Sequence, residues 1–343
     1  MLGGFNVLRI SWIDFGKGFT ILSVLLVHVM LGVVNSGVPY TAQQLWLPTV
    51  VIGFLFTYVM PVFFAMSGYV YKPVQTWHQF FKKNGQRLIS LGVPYIAFNV
   101  VIYIVKLFGN DKLTFLDLLN IWNQPIAYTW YLFALFGIYV LVDFYHLVGL
   151  PLWLQIILGV ATLTLVSFDT IHIGLLSQAF RWVLPFILGI AIKEYAILNR
   201  KYLTVLATGI FIISSVVAIR HYFMMIEAVN VLSISLLVVK ISSVFVFLSL
   251  YRSIGTVQKR WLTFIGENSL IVYLVHVPVG TLVMKIIEWR FPALIANYWV
   301  FAVATLAITL ALSLAAVFIA RRSRIVNVFF QPIKVIAGLR ESR

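Results

Sequence analysis

Two histidines lie deep inside long apolar runs, and each shares a helical face with residues able to handle protons or anions. The first run reads W-I-D-F-G-K-G-F-T-I-L-S-V-L-L-V-H from Trp12 to His28. Lys17 and His28 are eleven positions apart, which in an α-helix is three turns plus roughly 20°, so both project from one face about 16 Å apart. Asp14, three positions before Lys17, can pair with it where the helix begins. Ionisable groups are costly in hydrocarbon and mark a functional site by default. Here that means a general base or a nucleophile at His28 and an anion-binding cation at Lys17. The structural alternative is a lysine that snorkels to the interface and a histidine hydrogen-bonded within the packing.

The second run, T-F-I-G-E-N-S-L-I-V-Y-L-V-H-V-P, extends from Thr263 to Pro278. Ser269, Tyr273 and His276 follow an i, i+4, i+7 spacing and therefore share one helix face. Glu267 suits the positive end of the helix dipole and Asn268 is a candidate N-cap. Pro278, lacking an N–H, interrupts the backbone ladder beside His276. Three further stretches have cheaper structural readings. Between Met60 and Val70, Pro61 suggests a kink and Ser67-Gly68 a close helix contact. Lys82, Lys83 and Arg87 could read orientation and anionic lipid, and Trp130 with Tyr131 could belong to an interfacial aromatic belt. Lys240 lies inside an apolar run and has no partner assignable from the sequence.

The elements that must position these side chains are membrane helices. The chain has 343 residues, 62% hydrophobic and 10% charged, with a mean hydropathy of +1.01, whereas soluble domains are about a quarter charged. A net charge of +15 could suggest nucleic acid, but the basic residues punctuate apolar runs and do not form a polar binding face. With no cysteine, disulfides and thiolate chemistry are excluded. A span needs about 20 apolar residues, and ten runs qualify, near 17–35, 48–71, 88–108, 128–147, 151–168, 177–195, 202–220, 231–251, 268–288 and 295–320. Cytoplasmic loops collect Lys and Arg. Alternating the segments with the N-terminus inside puts 18 basic residues on the cytoplasmic side, Arg9, Lys259, Lys334, Arg340 and Arg343 among them. The opposite side receives six, including Lys112. The sequence thus predicts an all-α bundle of about ten transmembrane helices with both termini cytoplasmic. It divides into an N-terminal segment over 1–16, a membrane domain over 17–320 and a basic tail over 321–343. The first run is long and lacks a small-x-small cleavage site, so it is read as a retained span and not as a signal peptide. No repeat of 20 to 50 residues is visible.

Taken in order, I-D-F-G-K-G, the ten residues separating Lys17 from His28, M-P-V-F-F-A-M-S-G-Y, R-L-I-S-L-G-V-P-Y, W-Y-L-F-A-L-F and I-G-E-N-S-L-I-V-Y-L-V-H form a specific set over residues 13–276. This set resembles the membrane acyltransferase family 3, most closely its branch related to fucose 4-O-acetylase. The resemblance implies a multi-pass enzyme of the cell membrane that moves an acyl group, usually acetyl from acetyl-CoA, onto a hydroxyl of an extracytoplasmic or lipid-linked envelope carbohydrate. The family pattern of a basic residue, ten residues and a histidine maps onto Lys17 and His28, with Lys where many members have Arg. Arg87 matches a basic residue that faces acyl-CoA, joined here by Lys83 and Lys82. No soluble hydrolase-like domain follows the bundle in this sequence. The expected partners are the bilayer, acyl-CoA and the carbohydrate, without nucleic acid or metal. His28 is the expected base, or transient acyl carrier, and either role needs a neutral imidazole. Tyr273, Ser269, His276 and Trp130 are expected along the acceptor path, with Glu267 orienting a base or a sugar hydroxyl. The competing classes are a polysaccharide exporter or flippase, a proton-coupled transporter, and a membrane sensor or scaffold.

Overall fold

The computed structural model describes residues 10–107, 113–168, 173–224, 234–255, 260–333 and 335–336. Among them every regular element is helical: α1 (Ser11–Val34), α2 (Ala42–Tyr69), α3 (Trp77–Leu107), α4 (Phe115–Leu119), α5 (Trp130–Leu147), α6 (Leu152–Ser167), α7 (Gly174–Glu194), α8 (Lys201–Met224), α9 (Ile234–Ile254), α10 (Arg260–Glu267), α11 (Ser269–Arg290), α12 (Pro292–Ile295), α13 (Tyr298–Arg322) and α14 (Arg324–Val328). Nine helical segments within the described residues are long and apolar enough to cross a bilayer. The molecule is a multi-pass membrane protein. The basic residues Arg9, Lys112, Lys259, Lys334, Arg340 and Arg343 lie outside the described residues, as do 1–9 of the N-terminal segment and 337–343 of the tail.

The predicted spans coincide with helices, with two differences. The fifth, α6, has 16 residues, which at 1.5 Å per residue reaches about 24 Å, short of the roughly 30 Å of hydrocarbon. Several other helices begin well before the apolar run, α1 at Ser11 and α3 at Trp77. Hydropathy sees only the stretch in hydrocarbon, and a helix continues into the interface wherever its polar side chains meet water or headgroups. Lys82, Lys83 and Arg87 therefore ride on a rigid helix.

The centre of the bundle is α2, packed against α1, α7, α8 and α9, while α1 also touches α10, α11 and α13. Two of these crossings are closed by glycines. A methyl group on Gly18 would lie 2.0 Å from the Leu262 carbonyl oxygen, and one on Gly266 would lie 1.7 Å from that of Asp14, so α1 and α10 touch backbone to backbone. Between α2 and α7, Gly68 meets the Phe186 carbonyl and Gly189 that of Ala65. Without a hydrophobic drive between helices in lipid, such close approach supplies the packing attraction. Gly266→Ala must separate α1 from α10 and is expected to lower stability by about 1–3 kcal/mol. Gly209→Ala, which meets nothing within 4 Å, should leave it unchanged. Thermal unfolding of both variants in detergent checks the contrast.

Candidate active site

The contact between α1 and α11 brings the two deep histidines together. His276 Nε2 lies 3.2 Å from His28 Nδ1, and the rings meet edge to face with centroids 5.0 Å apart. Each ring also reaches back along its own helix, His28 Nδ1 to the Val24 carbonyl at 2.9 Å and His276 Nδ1 to that of Val272 at 3.1 Å. His276 is buried and His28 half-buried.

Pro278 explains how this end of α11 is anchored. A proline at 278 leaves the carbonyl of Leu274 without its helical donor, and the Tyr128 hydroxyl donates to that carbonyl at 2.5 Å. In return, the Tyr273 hydroxyl donates to the Tyr128 carbonyl. Tyr128 sits in a short turn, Ala127–Thr129, whose first residue has φ 51°, a left-handed conformation costing a residue with a Cβ about 1–2 kcal/mol. Buried Asn99 of α3 holds that turn, its Oδ1 accepting from Ile126 N at 2.8 Å and from Thr129 Oγ1 at 3.0 Å. The rings of Tyr128 and Tyr273 then pack against His276 at 5.6 and 5.8 Å.

Two cavities flank this tyrosine–histidine layer. One, of about 220 Å³, is lined by Lys17, Val24, Ser67, Tyr139, Ser269 and Tyr273 among others. The second, of about 470 Å³, is lined by His28 and His276 with Asn35, Lys106, Thr281 and Glu288. Lys17, Val24 and His28 form one stripe of α1, and that stripe borders both spaces. Likewise Ser269 and Tyr273 border the first space and His276 the second, as the spacing on α11 predicts.

Other predicted residues stand apart from the histidine pair. Arg87 is bound to Asp143 of α5, a fully buried carboxylate that also accepts from the Tyr71 hydroxyl at 2.6 Å and from Asn84 Nδ2 at 2.9 Å. Its guanidinium lies 4.1 Å from the centroid of Tyr139, a wall of the smaller cavity. Lys83 donates to the carbonyls of Lys72 and Pro73, while Lys82 is exposed. Trp130 stacks on Trp182 at 5.5 Å, with Lys240 lying 5.2 Å over the same Trp182 ring. That gives Lys240 its contact and places Trp130 in an aromatic stack. Asp14 lies in the first turn of α1, at the crossing with Gly266, and Glu267 is exposed at the end of α10. Asn268 occupies the N-cap position of α11 but its side chain does not cap it: Nδ2 donates back to the Phe264 carbonyl at 2.7 Å. Asp143, Asn84, Asn99 and Tyr128 escaped the sequence reading. The one signal for Asp143 was an acid within an apolar run.

A family model described as an acyltransferase domain, that of acyltransferase family 3, matches residues 10–318. No curated protein matches the chain, and no solved structure matches it.

Proposed function

The chain belongs to acyltransferase family 3, and from that premise we propose that it moves acetyl from acetyl-CoA to a hydroxyl of an extracytoplasmic or lipid-linked carbohydrate at the cell membrane. The observation that carries this reading is the α1 stripe, which borders one cavity at Lys17 and Val24 and a second at His28. A donor can enter from one space and an acceptor from the other, with the imidazole between them. The smaller cavity is mostly apolar and suits a pantetheine arm, with Lys17 on its wall. Coenzyme phosphates would be attracted by Lys17, Lys82 and Lys83 through charge-assisted contacts. Arg87, neutralised in part by Asp143, contributes orientation more than net charge. The larger cavity, with its amide, hydroxyl and charged side chains, suits a polar acceptor.

In this scheme His28 Nε2 takes the proton of the acceptor hydroxyl as its oxygen attacks the thioester carbonyl. The tetrahedral intermediate collapses with cleavage of the carbon–sulfur bond. His28 returns the proton to the departing thiolate, leaving an acetyl ester and free CoA. The basic bias of alternate segments supports placing the Lys17 end and both termini in the cytoplasm, where acetyl-CoA is available to it.

Inverted membrane vesicles given acetyl-CoA labelled in the acetyl group test the reading. Label is expected in a carbohydrate fraction with one free CoA released per acetyl transferred, and mass spectrometry of the envelope with and without the gene identifies the acceptor. Movement of a carbohydrate across the vesicle membrane with neither label transfer nor CoA release would instead establish an exporter.

A further inference from the structure

The hydrogen-bond partners of the two histidines determine where each ring carries its proton. A carbonyl oxygen can only accept, so a ring nitrogen facing one must bear a hydrogen. His276 Nδ1 faces the Val272 carbonyl at 3.1 Å, which leaves Nε2 of the neutral ring as a lone pair. That lone pair points at His28 Nδ1, 3.2 Å away. His28 Nδ1 in turn faces the Val24 carbonyl at 2.9 Å and must also carry a hydrogen. The two acceptors share it, and the opposite assignment would set a lone pair against a carbonyl oxygen. With Nδ1 protonated, the lone pair of neutral His28 resides on Nε2.

We propose that His276 is the positioning residue of His28: its Nε2 is a second acceptor, beside the Val24 carbonyl, for the His28 Nδ1–H, and it orients the ring so that Nε2 faces the acceptor cavity as the base. This rests on the acyl-transfer reading and goes beyond it, because the α11 histidine acts through the first ring. Its contribution grows as the reaction proceeds. Once His28 Nε2 has taken the hydroxyl proton, the Nδ1–H···Nε2 bond becomes charge-assisted and strengthens, the part an aspartate plays in a serine–histidine–aspartate triad. The frame around His276 keeps the acceptor in place. Its Nδ1 is tied to Val272, and the rings of Tyr128 and Tyr273 pack beside it, linked to each other by the Tyr273 hydroxyl and to α11 by the Tyr128 bond that the proline at 278 makes possible.

The test compares His276→Gln, whose side-chain oxygen can accept from His28 Nδ1, with His276→Leu, which cannot, both as full-length protein in liposomes. The leucine variant should lose about 100-fold or more in kcat, within the range set by general-base and triad-orientation effects. The glutamine variant should remain within about tenfold of wild type, and KM for acetyl-CoA should stay within about threefold in both. A second readout needs no activity. Nitrogen-15 spectra of histidine-labelled wild-type protein, assigned by the signals lost in His28→Ala, should show protonated Nδ1 and bare Nε2 at His28, and His276→Leu should keep that tautomer through Val24 but shift the Nδ1 signal as the second acceptor is lost. A leucine variant with wild-type kcat overturns the proposal, as does a glutamine variant that is no better than leucine. So does a wild-type spectrum with the proton on Nε2, which decides the matter even if the leucine variant fails to fold. Full transfer by His28→Ala would overturn the acyl-transfer assignment of His28 instead, while leaving the tautomer measurement to stand on its own.

Discussion

His28→Ala is expected to insert and fold normally and to transfer acetyl at least about 10³-fold more slowly than wild type, within the range attributed to a positioned base. The acceptor hydroxyl is a poor nucleophile until its proton has somewhere to go. KM for acetyl-CoA should change little, because the coenzyme contacts proposed here lie near Lys17, about 16 Å along the helix. His28→Gln should be equally inactive, since an amide fills the space and hydrogen-bonds but cannot take up a proton. Transfer of acetyl label from acetyl-CoA to the acceptor, with free CoA released, in reconstituted liposomes provides the measurement. A well-folded alanine variant with undiminished transfer would remove His28 from the mechanism.

The second large effect concerns stability. Asp143→Ala should destabilise the protein by about 3–5 kcal/mol, the usual cost of removing one partner of a buried ion pair. The carboxylate is fully buried and accepts from Tyr71, Asn84 and Arg87. Truncation removes an acceptor from all three donors and the counter-charge from the guanidinium, at the junction of α3 and α5. Removing Arg87 together with Asp143 should recover part of the loss, because no cation is then left unpaired, and a double-mutant cycle of thermal unfolding isolates that coupling. Equal unfolding temperatures for Asp143→Ala and wild type would contradict this account. The pairing also bears on the donor site, since it holds the guanidinium over Tyr139 at the wall of the smaller cavity.

Much of this architecture was legible in sequence because it depends on one helix at a time. The stripe from Lys17 through Val24 to His28 follows from helical periodicity, and so does the face shared by Ser269, Tyr273 and His276. The interrupted backbone ladder at Pro278 was legible too, but not its consequence: the donor that satisfies the freed carbonyl comes from Tyr128, 146 positions away. Asp143 shows the same limit. In the sequence it is one acid within an apolar run, and its meaning depends on a partner 56 positions earlier on another helix. Asn268 erred in the other direction, since its type and place predict a cap while the tight turn between α10 and α11 turns the side chain back to Phe264.

From the sequence alone follow the bilayer as solvent, the long apolar helices and the two deep imidazoles, each set by local composition and by the 3.6-residue period. Tertiary structure alone decided that the imidazoles meet, that glycines bring α1 onto α10, and that Arg87 is held by a buried acid. Those facts depend on which helix faces lie opposite one another. That choice is made by packing and hydrogen-bond satisfaction among segments far apart in the chain, where local periodicity carries no information.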